Sequence, residues 1–221
     1  MKTAYLTLAL CLTSLFCYAQ KNTSFVWPDS LNTAKNASYL TSLEKETILE
    51  MNKVRTNPKA YISYLREERS FYEDDLIRRP GEIAIRTHEG VAAIDECIRY
   101  LEKASPAGLL YPSDCLAKAA RMLGKDQSET GETGHNGPKG MSMKDRIQSA
   151  CGKEFFYLAE NVSYGYNTPL RIVLQLMIDD GVPSRGHREN IMNPELNSCG
   201  LFSTTHPRYS YLCVIDYAHF R

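Results

Sequence analysis

The chain has 221 residues, and its 26 Lys and Arg balance 26 Asp and Glu. That balance argues against nucleic acid or an anionic membrane as the main partner, since either calls for a basic face. The length suits one domain with a full core, or a domain with a short N-terminal extension.

Residues 1–19 read as a secretory signal peptide. Lys2 supplies the positive start, Ala4 to Phe16 is almost all apolar or hydroxyl-bearing, and Cys17, Tyr18 and Ala19 form the cleavage region. The apolar run is too short for a transmembrane helix. No later segment is long and apolar enough to be one, so the mature protein is expected to be secreted or periplasmic. Cleavage removes Lys2 alone among the charged residues, leaving 25 basic against 26 acidic groups, a formal charge of −1. Five cysteines remain: Cys97, Cys115, Cys151, Cys199 and Cys213. An odd number in an oxidising compartment means a free thiol or an intermolecular bridge. Cys199 and Cys213 flank an expected hairpin and are the first pairing expected; Cys97 with Cys115 is the second.

Residues 20–40 are polar with scattered aromatics and no period, and read as a linker before a domain spanning 41–221. Thr41 and Glu44 form a capping box for a helix over Leu43 to Val54. Asn57 caps a second helix, with Pro58 at a position where a missing N–H costs nothing. Residues 69–87 are charged and irregular. Val91, Ile94, Ile98 and Leu101 follow helical spacing, and Leu116, Ala119, Ala120 and Leu123 form the face of a further helix. It runs into a glycine-rich loop displaying His135, and a short helix covers Met143 to Ala150. Phe155 to Leu158 reads as a buried strand leading to Glu160. Pro169 opens an apolar helix expected to reach Asp180, with Gly181 in the left-handed position beyond it. A glycine-rich turn then carries His187. Cys199 to Ser203 and Tyr209 to Tyr217 are strands around a turn. Several helices, few strands and no βαβ repeat predict an α+β fold, a small mostly antiparallel sheet covered by helices.

The chemistry concentrates between Ala159 and Asn190. Asp180 shares the buried stripe of its helix with Val173, Leu176 and Met177, while Asp179 has a more mixed setting. His187 can fold back onto that helix end across Gly181, Pro183 and Gly186. Two histidines and two carboxylates, His135, His187, Glu160 and Asp180, could hold a divalent metal and orient its bound water. The compact zinc signatures are absent, and spacing alone leaves metal binding, catalysis and a buried structural network all open.

These residues resemble a known family. His135-Asn136-Gly137, Ala159-Glu160-Asn161-Val162 and Ser184-Arg185-Gly186-His187-Arg188-Glu189-Asn190-Ile191 are similar to motifs of the CAP superfamily. This is the SCP-like extracellular domain of cysteine-rich secretory proteins, antigen 5 and pathogenesis-related proteins. Glu50 to Pro58 looks like its first helix and Leu212 to Tyr217 its last strand, and the signal peptide and Ser184-to-Arg188 form look like bacterial members. The resemblance implies a three-layer α-β-α sandwich with a central cleft. It places the cleft groups on His135, Glu160 and His187, with Asp180 where many members carry glutamate and Met177 where they carry tryptophan. It further implies zinc or another divalent cation on His135 and His187, and an extracellular ligand that is a lipid, a peptide or a protein. A metal-assisted hydrolase is the alternative, with Glu160 as base and Asp180 orienting water; a ligand-free structural network is the third reading.

Overall fold

The computed structural model describes residues 25–221, so the expected signal peptide lies outside the described residues. The chain forms α1 (Ser42–Thr56), α2 (Pro58–Arg69), β1 (Tyr72–Glu73), β2 (Leu76–Ile77), β3 (Ile85–Arg86) and α3 (Val91–Lys103). It continues through β4 (Tyr111–Pro112), α4 (Asp114–Thr130), α5 (Met143–Cys151), β5 (Phe155–Tyr164) and α6 (Pro169–Ile178). Last come α7 (Gly186–Met192), β6 (Ser198–His206) and β7 (Ser210–Phe220).

The main sheet has strand order β4-β6-β7-β5. Its long strands are antiparallel, and β4 joins β6 in parallel. Because side chains alternate along a strand, β7 feeds two cores. Cys213, Ile215 and Tyr217 pack with α1, α3, α6 and α7, while Leu212, Val214 and Ala218 face Leu123, Ala120 and Ile147 of α4 and α5. The fold is thus α+β, with helices on both faces of the sheet. The helical layers hold it tightly: a Cβ on Gly200 of β6 would meet Ala117 N at 2.0 Å.

Local chemistry starts the helices where the sequence marks them. Thr41 accepts from the Glu44 amide at 3.3 Å while Glu44 returns a bond to the Thr41 amide at 2.7 Å, and the second Glu44 oxygen accepts from Ser203 N of β6 at 2.7 Å. Asn57 caps α2 through the Ala60 amide.

Other expectations change. The segment read as a linker lies against the core: Leu31, Ala34, Ala37 and Leu40 are buried, and Asn52 donates to the Leu31 carbonyl. Residues 72–86 make a small antiparallel three-stranded sheet. β5 is exposed at Phe156 and Tyr157 and runs on through Glu160 to Tyr164. The disulfide is a correction. Cys115 at the start of α4 is bonded to Cys151 at the end of α5, and Cys97, Cys199 and Cys213 are free and buried. Cys199 pairs in register with Tyr217 and Cys213 with Ser203, so those cysteines are four positions out of step along the hairpin. Cys97 belongs to the α3 side of the sheet and Cys115 to the α4 side, so the sheet separates them.

Candidate functional site

Two histidine–carboxylate pairs meet at the β5 edge of the sheet, one from each helical layer. The first begins at the end of α6, whose last two turns are buried nearly all round. The helix stops at Ile178 because Asp179 takes the left-handed conformation, φ 57° and ψ 42°. That break comes two residues before Gly181, the expected left-handed position, and it takes Asp180 off the helical stripe. Asp179 is buried, and its carboxylate receives His187 N–H at 2.9 Å and lies 2.6 Å from His187 Nδ1. Asp180 is half-buried and turns elsewhere, accepting the amides of His88 and Glu89 at 2.7 and 2.8 Å.

The turn expected to carry His187 is the short helix α7, and two arginines fix it. Arg188 is buried and donates to the Met177 and Ile178 carbonyls, placing a cation where the helix dipole favours one. Arg185 donates to the Asp179 carbonyl at 2.8 Å and pairs with Glu89 and Glu96. The Arg185 hydrogen bond is the first reason that the Glu89 carboxyl is lowered to about 2; the Gly181 amide adds to it.

The second pair comes from the other layer. The loop after α4 is held by buried Gln127, which donates to the Gly134 carbonyl, and by the Tyr164 hydroxyl, which accepts the Gly134 amide at 2.9 Å. His135 is thereby presented half exposed, with Nδ1 2.8 Å from Glu160 Oε1. Glu160 is buried, and Arg146 of α5 binds its other oxygen and also donates to the His135 carbonyl at 2.8 Å.

Amides link the halves. Asn161, on the opposite face of β5 from Glu160, donates to the His187 carbonyl at 3.0 Å and to the Tyr217 hydroxyl. Asn190 of α7 donates to the Glu160 carbonyl and to Asn161 Oδ1.

His135, His187, Asp179 and Asp180 line one cavity of about 600 Å³. Its other walls mix Ile77 and Ile85 of the small sheet with Leu174 and Ile178 of α6 and the rings of Tyr72 and Tyr164. Glu160 sits beneath His135 and is absent from the lining. Of the four residues expected to converge, His135 and Glu160 touch and His187 joins the same cavity, whereas the acid on His187 is Asp179.

With Nδ1–H donated to a carboxylate, each imidazole keeps Nε2 as an acceptor, base or metal donor. Among the described residues no three His, Cys, Asp or Glu side chains are grouped so as to hold a metal ion. The free thiols offer no nucleophile, because burial pushes Cys97, Cys199 and Cys213 up to about 12.

Two contributors were not legible as such in the sequence. Asp179 falls behind Asp180 when the helix is extrapolated past its end. Arg146 gives no signal, being one basic residue of an amphipathic helix.

Among curated proteins, none matches the sequence. In structure the chain is similar to an outer surface protein from Borrelia burgdorferi, with 19% identity and a TM-score of 0.44, over 52% of this chain and 80% of that one. It is also similar to an extracellular protein containing an SCP domain from Bacillus anthracis, with 17% identity and a TM-score of 0.43, over 58% of this chain. There it spans 38% of the other protein's length. The family model of the cysteine-rich secretory proteins matches residues 50–217, a span that holds both histidine–carboxylate pairs. The chain belongs to the CAP family of cysteine-rich secretory proteins.

Proposed function

We propose that the protein is a secreted binding module whose cleft takes a divalent cation, zinc first, together with an extracellular ligand such as a lipid or a peptide. One observation carries the reading. Two imidazoles, each held through Nδ1 by a buried carboxylate, line the same cavity of about 600 Å³ and keep Nε2 uncommitted. Carboxylate–histidine pairs of this kind orient metal-binding rings and raise their basicity. Nitrogen donors also suit zinc over magnesium or calcium. His135 and His187 would supply two positions, and ligand or water the others; the apolar walls would receive the ligand's uncharged part. Residues 1–19 supply the export signal in this reading.

The hydrolase alternative gains less support. Glu160, its expected base, is engaged by His135 and Arg146 and lies behind the cavity wall. Calorimetric titration with zinc tests the proposal. The expected result is one site in the wild type that is lost in His187→Ala and His135→Ala while both variants remain folded. Absence of binding to the wild type overturns the cation.

A further inference from the structure

Behind His135 lie two acids. Glu160 of β5 and Asp216 of β7 stand opposite each other in register, so their side chains leave the sheet on the same face. Both are buried, Asp216 completely. Among the described residues the elements around them bring one permanent cation, Arg146 of α5, which pairs with Glu160; the half-exposed His135 meets the other Glu160 oxygen. From β6 the register partner of Asp216 is Gly200, which has no side chain. From α4, Leu116 and Ala119 complete the apolar cover.

Neither Asp216 oxygen receives a hydrogen bond from a described group. A carboxylate can only accept, and Glu160, the polar neighbour, is another acceptor. The donor missing from the pair is a proton. Charge counting agrees, since two ionised acids and one guanidinium would bury a net negative charge, which a protein interior penalises heavily. Burial, then the adjacent Glu160, pushes the Asp216 carboxyl well above the usual carboxylate range, and Arg146 opposes this only in part.

We infer that Asp216 is a positioning residue of the His135 site: it stays a neutral acid and donates its O–H to Glu160. Glu160 is then steadied from three sides, by Asp216, by Arg146 and by the imidazole it orients. The inference concerns the site without a bound ligand, and it stands apart from cation binding because no step of its test contains metal.

The first test compares melting temperatures of the wild type and Asp216→Asn between pH 4 and 8. Asn keeps the shape and an N–H donor but does not titrate. An acid whose folded pKa exceeds its unfolded value of about 3.9 stabilises fully below that value and loses the contribution as pH rises. The wild type should therefore lose ground steadily to the variant above about pH 4. A wild-type advantage that grows with pH would mean an ionised Asp216 paired with Arg146, and would overturn the inference. The 13C resonance of the Asp216 carboxyl at pH 7 needs no variant: a neutral-acid shift supports the assignment and a carboxylate shift sinks it. Positioning is read from 15N shifts of His135 at pH 8. The Nδ1–H tautomer should dominate in the wild type and in Asp216→Asn, and a mixture should appear in Asp216→Leu. A single unchanged tautomer in the Leu variant would refute the positioning role.

Discussion

Asp179 and His187 are joined at two points, the imidazole Nδ1 to one carboxylate oxygen at 2.6 Å and the backbone N–H to the other at 2.9 Å. The adjacent carboxylate of Asp180 holds two different amides, those of His88 and Glu89. The left-handed backbone at Asp179 sends neighbouring acids to separate tasks: one orients a ring of the cleft, the other ties down the stem of the small sheet.

That division predicts unlike outcomes for the same substitution. Asn at position 179 has one oxygen to serve two donors, so Asp179→Asn should lower stability by roughly 1–3 kcal/mol, and on the proposed zinc binding it should lower affinity by roughly 10–100-fold. Asp180→Asn should lower stability by about 1 kcal/mol and speed hydrogen exchange at the His88 and Glu89 amides. Its His187 15N shifts should stay those of the wild type. A shifted His187 tautomer in Asp180→Asn would contradict the separation.

Glu89 makes the stem sensitive to acid. Its carboxyl is lowered to about 2 by Arg185, below the unfolded value of about 4.3. A depressed acid stabilises fully above its unfolded pKa, and the contribution drains away as pH falls through the folded value. Amide protection near His88 should accordingly decline between about pH 4 and 2. Glu89→Gln should lack that step and exchange faster at neutral pH; an identical pH profile in the variant would exclude Glu89 as the cause.

Arg55 supports the cleft from the far side. It is buried and donates to four carbonyls, those of Gly108, Ile191, Asn193 and Leu196. Ile191 lies in α7, the helix that carries His187. Arg55→Met would strand those acceptors and should cost roughly 3–5 kcal/mol by urea denaturation. A loss below about 1 kcal/mol would show that the carbonyls find other donors.

The Cys115–Cys151 bridge spans 36 positions and ties α4 to α5, the helix that bears Arg146. Constraint of the unfolded chain predicts that Cys115→Ser/Cys151→Ser lowers stability by about 2–4 kcal/mol. Among the described residues the other thiols, Cys97, Cys199 and Cys213, are buried and should react with a thiol reagent only on unfolding. Rapid labelling of any of these three in the folded wild type would refute the pairing pattern.

What depends on near neighbours was legible along the chain. Thr41 and Glu44 cap α1, Asn57 and Pro58 start α2, and the alternation from Tyr209 to Tyr217 marks the long hairpin strand, because caps and periodicity are settled within a few residues. The motifs around His135, Glu160 and His187 likewise marked the family, and two of those residues line the cavity, with Glu160 behind His135. Tertiary structure alone decided which acid serves which histidine. An αL residue ends α6 early and exchanges Asp180 for Asp179, and strand register sets Asp216 against Glu160 across 56 positions of chain. It also chose the disulfide, since two cysteines must lie in the same layer to meet, and the sheet that divides the layers is assembled from strands far apart in sequence.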